Sequence, residues 1–160
     1  MPKRSAGLLL YRSADSALEV FLVHPGGPFW AKKDLGAWSI PKGEYTDGEE
    51  PLAAALREFE EETGFTDPAS LPPERFNWLG AVRQANGKTV DAWAVNVDFA
   101  LDPALVRSNL CTIEWPPRSG RQIQIPEVDR AAWFKVPEAR KRINPAQAAF
   151  LDRLLAAASV

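Results

Sequence analysis

Residues 43–65 read GEYTDGEEPLAAALREFEEETGF, and the organisation of the chain follows from them. Pro51 suits a first helical turn, where its missing N–H costs little, and Gly64 suits a left-handed C-terminal stop. Between them Leu52, Ala55, Leu56 and Phe59 recur at i, i+3, i+4 and i+7. They make one apolar stripe that docks on a sheet. Glu58, Glu61 and Glu62 form a second stripe about a third of a turn away. Small Ala54 lies one turn before Glu58. Like charges at this spacing cost a few tenths of a kcal/mol, and a helix C-terminus prefers cations. A divalent cation removes both objections. Clustered carboxylate oxygens suit Mg²⁺ or Mn²⁺ rather than zinc. Arg57, four residues before Glu61, is placed to hold one carboxylate.

Outward from this helix, residues 5–11 and 18–24 are apolar and predict buried strands around a turn at 13–17. A loop follows at 25–35, a short strand at 37–40 stopped by Pro41, and a polar loop at 42–48. Residues 76–84 and 88–99 predict strands about a turn at Asn86-Gly87, a strong hairpin signal. Residues 108–126 read as loop with a strand inside, 131–135 as a strand and 144–158 as a helix. Strands with few helices and hairpin connections indicate an α+β domain, an α/β/α sandwich with a mixed sheet between helices.

At 160 residues the chain is expected to be one domain spanning 1–160, with a core that needs no staples. The formal net charge of −2 gives no general attraction for nucleic acid, although the run Arg140, Lys141, Arg142 is a local basic patch. Cys111 is the only cysteine, so an internal disulfide and a thiolate zinc site are excluded. The apolar run at 6–11 is too short for an export signal or a membrane span. A cytoplasmic location is expected, and monomer and dimer both stay open.

The stretch 43–65 satisfies the pattern G-x5-E-x7-R-E-U-x-E-E-x-G-U, with U a bulky apolar residue. The positions are Gly43, Glu49, Arg57, Glu58, Phe59, Glu61, Glu62, Gly64 and Phe65. An acidic helix is usually just a solvated face. An accidental match to the seven fixed residues, however, is on the order of one in a billion per start. The pattern resembles the signature of the Nudix hydrolases, and every position agrees. The resemblance implies an enzyme that cleaves a diphosphate linkage in a nucleoside derivative, by attack of a metal-activated water. Glu58, Glu61 and Glu62 would bind Mg²⁺ or Mn²⁺, with the Gly43 carbonyl as a further ligand and Glu58 or a nearby acid as base. Glu49 and Arg57 would orient loop and helix. An acid outside the motif often completes such sites, and Glu127, six residues before Trp133, is either that acid or an ordinary loop glutamate.

Other residues make softer claims on a small-molecule nucleotide substrate. Lys42 stands beside Gly43, within reach of a phosphate or of solvent. Lys88 follows the hairpin glycine, and Arg118 and Arg121 flank Ser119-Gly120, where distal phosphates could meet them. Glu49 belongs with this group if its loop faces the substrate. Phe29, Trp30 and Trp115 either stack on a base or pack as a lid. His24 and Cys111 read as structural. The segments at 24–28, 42–44 and 108–126 look like the branch acting on nucleoside triphosphates or dinucleoside polyphosphates. Alternatives are an ADP-ribose or nucleotide-sugar pyrophosphatase and a non-catalytic nucleotide sensor of the same fold. All motif carboxylates are present, which favours an enzyme.

Overall fold

The computed structural model describes residues 3–99 and 101–158. Strand β1 (Arg4–Ala14) turns at Asp15 and Ser16 into β2 (Ala17–Pro25). A long loop leads to the short β3 (Lys42–Glu44) and then to α1 (Pro51–Thr63). The chain continues through β4 (Phe76–Arg83), β5 (Thr89–Asn96), β6 (Leu110–Glu114), β7 (Gln122–Pro126) and β8 (Val128–Lys135). Helices α2 (Val136–Arg142) and α3 (Ala148–Ala158) follow. One mixed sheet has the order β4-β5-β1-β2-β8, with β3 also on β1, and β6-β7 form a separate ribbon. β1 and β5 run parallel over eight paired residues, and the other pairings are antiparallel.

Alternation along the central strands fills both faces. Leu8, Leu10, Phe21 and Val23 pack with Ala54, Ala55 and Phe59 of α1. Leu9, Val20 and Leu22 pack on the other side with Val136, Ala139, Phe150, Leu151 and Leu154 of α2 and α3. This is the expected α/β/α arrangement, with a core layer on each side of the sheet.

The hairpin β1-β2 is paired only near its turn, from Tyr11↔Val20 to Ala14↔Ala17. Beyond that the strands part, and residues 38–44 enter the fork. Val23 and Ser39 exchange backbone bonds of 2.8 and 2.9 Å, Leu8 N donates to Pro41 O at 3.1 Å, and Gly7 pairs with Lys42. The inserted segment is therefore bridged at Trp38 and Ser39 and becomes a ladder only at Lys42–Glu44. The sequence reading placed a strand at 37–40 and a polar loop from 42. Pro41 breaks the segment where expected, but pairing resumes after it because β1 offers a free edge there.

Three further differences have local causes. Residues 108–126 form a whole hairpin, whose mostly exposed residues carry little hydrophobic pattern. α2 was not anticipated. It is short, follows β8 directly and has Pro137 in its first turn. α3 begins at Ala148, after a 3-10 turn at Pro145–Gln147.

Gly7 is the contact point of the fork. A Cβ there would lie 2.6 Å from Pro41 O and 2.7 Å from Lys42 Cβ, whereas one on Gly48 would meet nothing within 4 Å. Gly7→Ala is expected to cost about 1–3 kcal/mol by overpacking, and Gly48→Ala less than about 0.5 kcal/mol. Urea unfolding of the two variants checks this; equal stability would show that the fork tolerates a side chain.

Candidate active site

α1 is built to present its acids at its C-terminal half. Glu50 caps the N-terminus, its carboxylate accepting from Leu52 N at 3.2 Å and Ala53 N at 2.8 Å. Gly64 ends the helix at φ 81°, as its position in the sequence required. The last carbonyls find partners on the segment leading into β6. Arg107 N donates to Thr63 O and Asn109 N to Glu61 O, each at 2.8 Å. Asn109 O in turn accepts from Glu127 N at 3.0 Å, and Glu127 O accepts from Gly26 N at 3.0 Å. This backbone relay couples the acidic end of α1 to Glu127 and to the loop after β2. Gly26 is needed for that approach, because a Cβ there would fall 2.0 Å from Pro126 O.

Glu58 and Glu62 are buried while Glu61 is more open, so the acidic stripe lies partly under the neighbouring chain. Gly43 explains the cover. A Cβ on Gly43 would lie 1.9 Å from Glu58 Oε2, so the carboxylate rests on the bare backbone of β3. Lys42 N donates to Glu62 Oε1 at 3.2 Å. The end of β3 is pinned by Tyr45, whose hydroxyl donates to Asp91 Oδ2 at 2.7 Å. The Arg4 guanidinium donates to both oxygens of the buried Asp91. None of these three residues carried a signal in the sequence, since β1, β5 and the loop meet only in the fold.

Arg57 organises the acids. Its Nε and Nη2 donate to the two oxygens of Glu49 at 2.8 and 3.0 Å, and Nη1 bridges Glu58 at 2.8 Å and Glu61 at 3.1 Å. Both Glu49 oxygens accept from Arg57, so Glu49 braces the arginine. Burial, aided by Glu61, raises the Glu58 carboxyl above its usual range. Burial pushes Glu62 up to about 8, against the attraction of Lys42, with Glu127 and Glu58 adding repulsion. Burial also pushes the Lys42 ammonium down. Glu127 acts on both Glu58 and Glu62, which places it in the same electrostatic neighbourhood as the motif acids.

A cavity of about 260 Å³ lies against this cluster. Glu62, Glu127 and Lys42 line it together with Trp30, Cys111 and Ile125. The site therefore joins α1, β3, the loop after β2 and the base of the β6-β7 hairpin. Trp30 is held edge-to-face on Phe29 at 5.0 Å. The loop carrying it is anchored by buried His24, whose ring nitrogens lie 2.6 Å from Lys33 O and 2.9 Å from Asp129 Oδ1. His24 thus makes structural contacts with both nitrogens.

The remaining candidates lie outside this lining. Lys88 pairs with Glu44 at 3.2 Å. Arg118 and Arg121 sit at the exposed turn of the β6-β7 hairpin, where the Glu114 carboxylate accepts from Arg118 N and Gly120 N. In the basic run, Arg140 pairs with Asp152, Lys141 with Glu138, and Arg142 with Asp34 and Glu138.

The residues present suit a hard divalent cation. The donors are carboxylate and carbonyl oxygens, two of the acids are buried with raised carboxyls, and Gly43 leaves its carbonyl strand in contact with Glu58. Among the described residues no three acidic, imidazole or thiol side chains already converge on one point. Glu58 and Glu61 instead share the Arg57 guanidinium, a cation of the protein's own.

The chain is similar to known proteins. RNA pyrophosphohydrolase of Rhodospirillum rubrum is 38% identical over 82 residues, 49% of this chain and 47% of that protein. Nudix hydrolase 25 of Arabidopsis thaliana is 50% identical over 44 residues, 28% of this chain and 25% of that protein. The chain is thus matched to less than half the length of either curated relative. A crystal structure of a C. elegans Ap4A hydrolase binary complex superposes with a TM-score of 0.68 at 22% identity, covering 98% of both chains, which shows the shared fold. The family model described as NUDIX domain matches residues 1–154. With that match over nearly the whole chain, the protein belongs to the NUDIX domain family.

Proposed function

We propose that this chain is a single-domain, cytoplasmic hydrolase that cleaves a pyrophosphate linkage in a nucleoside polyphosphate, an NTP or dinucleoside polyphosphate. The observation that carries the reading is one cavity lined by Glu62, Glu127 and Lys42, at the buried acidic end of α1. Glu58, Glu61, Glu62, Glu127 and the Gly43 carbonyl would hold Mg²⁺ or Mn²⁺. When bound, such an ion neutralises phosphate oxygens and acidifies a coordinated water. Lys42 contributes positive charge beside the acids, where a phosphate oxygen would otherwise meet only carboxylates. Glu58, with its raised carboxyl, is suited to accept the proton of the attacking water. Arg57 keeps Glu58 and Glu61 oriented while Glu49 fixes Arg57. Positioning and charge stabilisation are what phosphoryl transfer chiefly requires of a protein.

Glu61→Gln and Glu62→Gln are expected to lower Mg²⁺-dependent phosphate release from nucleotides by at least about 100-fold. Their circular dichroism should match the parent. Full activity in both variants would end this account.

The raised Glu62 carboxyl has a pH signature. Between its usual range and about 8 the folded Glu62 carboxyl keeps a proton that the unfolded chain has released, while the lowered ammonium of Lys42 works in the opposite sense at the upper end of that window. Stability of the metal-free protein should therefore fall as pH rises from about 5 to about 8, and less so in Glu62→Gln. Saturating Mg²⁺ binds the ionised carboxylates and should raise Tm more at about pH 8 than at about pH 6. Differential scanning fluorimetry reads both effects; identical slopes in parent and variant would contradict the burial argument.

A further inference from the structure

The lining of the 260 Å³ cavity divides into two chemical sets: the charged Lys42, Glu62 and Glu127, and a wall containing Trp30, Val23, Ile125, Val128, Cys111 and Ser39. We propose that this wall receives the base of the nucleotide without reading it, so that the protein takes any of the common bases and Trp30 sets how tightly. The proposal rests on the nucleotide reading above and deepens it.

Bases are told apart by their patterns of donors and acceptors. A site that hydrogen-bonds its substrate rejects a wrong partner by about 10⁴–10⁵, because its own groups are then left unpaired. A site made of apolar contacts separates similar ligands only about 10–200-fold. Several polar groups of this wall are already engaged. The Ser39 hydroxyl donates to Ile40 O at 2.7 Å and accepts from Gln147 Nε2 at 3.0 Å. The amide and carbonyl of Val23 are bonded to Ser39, and Val128 N donates to Ser108 Oγ. Gly26 N, on the same lining, is committed to Glu127 O. Among the wall's described side chains this leaves the Trp30 indole N–H and the weakly polar Cys111 thiol, beside the charged Lys42, Glu62 and Glu127 that face the phosphates and the ion in this reading. Every base carries ring-nitrogen or carbonyl acceptors. A lone donor meets an acceptor on some edge of each of them, so by itself it excludes none.

Shape and stacking remain. The volume is below the roughly 300 Å³ at which drug-sized pockets begin, so the cavity has room for little more than one nucleoside. Among the described residues of the lining Trp30 is the only aromatic one; it packs edge-to-face on Phe29, and Lys33 Nζ lies 5.3 Å from its ring centroid. Stacking on such a ring binds any base, since every base has a π-face.

The test is calorimetric titration, in Mg²⁺, with the α,β-methylene triphosphates of adenosine, guanosine, cytidine and uridine, and with inorganic tripolyphosphate. The four nucleotides are expected to bind with Kd values within about tenfold of one another, and tripolyphosphate more weakly. Trp30→Ala should weaken all four by a similar factor, about tenfold, and leave tripolyphosphate unchanged, and Trp30→Phe should recover most of the loss. A preference for one base above about 100-fold, failure of all four to bind, or nucleotide affinities indifferent to Trp30→Ala would overturn the proposal. Turnover of the unmodified triphosphates is read separately. Four equal affinities without cleavage would sink the hydrolase reading and leave this one standing. Cleavage confined to one base would do the reverse.

Discussion

The carboxylate of Glu58 lies where a side chain on residue 43 would begin, and the site is organised around that overlap. It requires glycine on β3, a buried acid on α1 and a route by which β3 reaches the helix. The parting of β1 from β2 supplies the route. Residues 38–44 insert where the hairpin leaves backbone groups unpaired, so the fork has its hydrogen bonds completed and the strand is delivered beneath α1. Orphaned backbone groups in a buried fork would be costly, which gives the inserted segment a stabilising role besides its place in the site.

The acids are assembled against their own repulsion. Arg57 counters part of it by bridging Glu58 and Glu61, and Glu49 holds the guanidinium bidentately. Among the described residues Glu62 has no guanidinium partner, and Lys42 offers charge while being itself pushed toward neutrality by burial. The arrangement leaves a net demand for positive charge in a confined place. A divalent ion with hard oxygen ligands meets that demand, which is the physical link between the burial of these carboxylates and the proposed chemistry.

Glu127 reaches the same place by backbone means. The carbonyls at the end of α1 need donors, the segment entering β6 provides them, and that segment also holds Glu127 N. The connection that completes the helix terminus thereby sets the distance between the signature helix and an acid 65 residues beyond Glu62. On the far side, His24 holds the loop that brings Trp30 to the cavity.

The helix, its stop at Gly64, its apolar stripe and the family were legible in residues 43–65, because helical period and fixed spacing are properties of the local chain. The hairpin at Asn86-Gly87 and the paired sheet faces were legible for the same reason. What the sequence could not disclose was any feature created by strands that meet from distant positions. The ladder at Lys42–Glu44 depends on an edge that β1 leaves free, the Arg4-Tyr45-Asp91 clamp joins three separated elements, and α2 is too short to show a period. Glu49 read as a brace and as a substrate contact, and only the fold shows that the guanidinium it braces is the one shared by Glu58 and Glu61. That Trp30 lines the cavity at all was decided only by the loop's packing beside β7. Local periodicity and motif spacing are written in one stretch of chain, whereas burial, pairing and the sharing of a charge are decided by which surfaces come into contact.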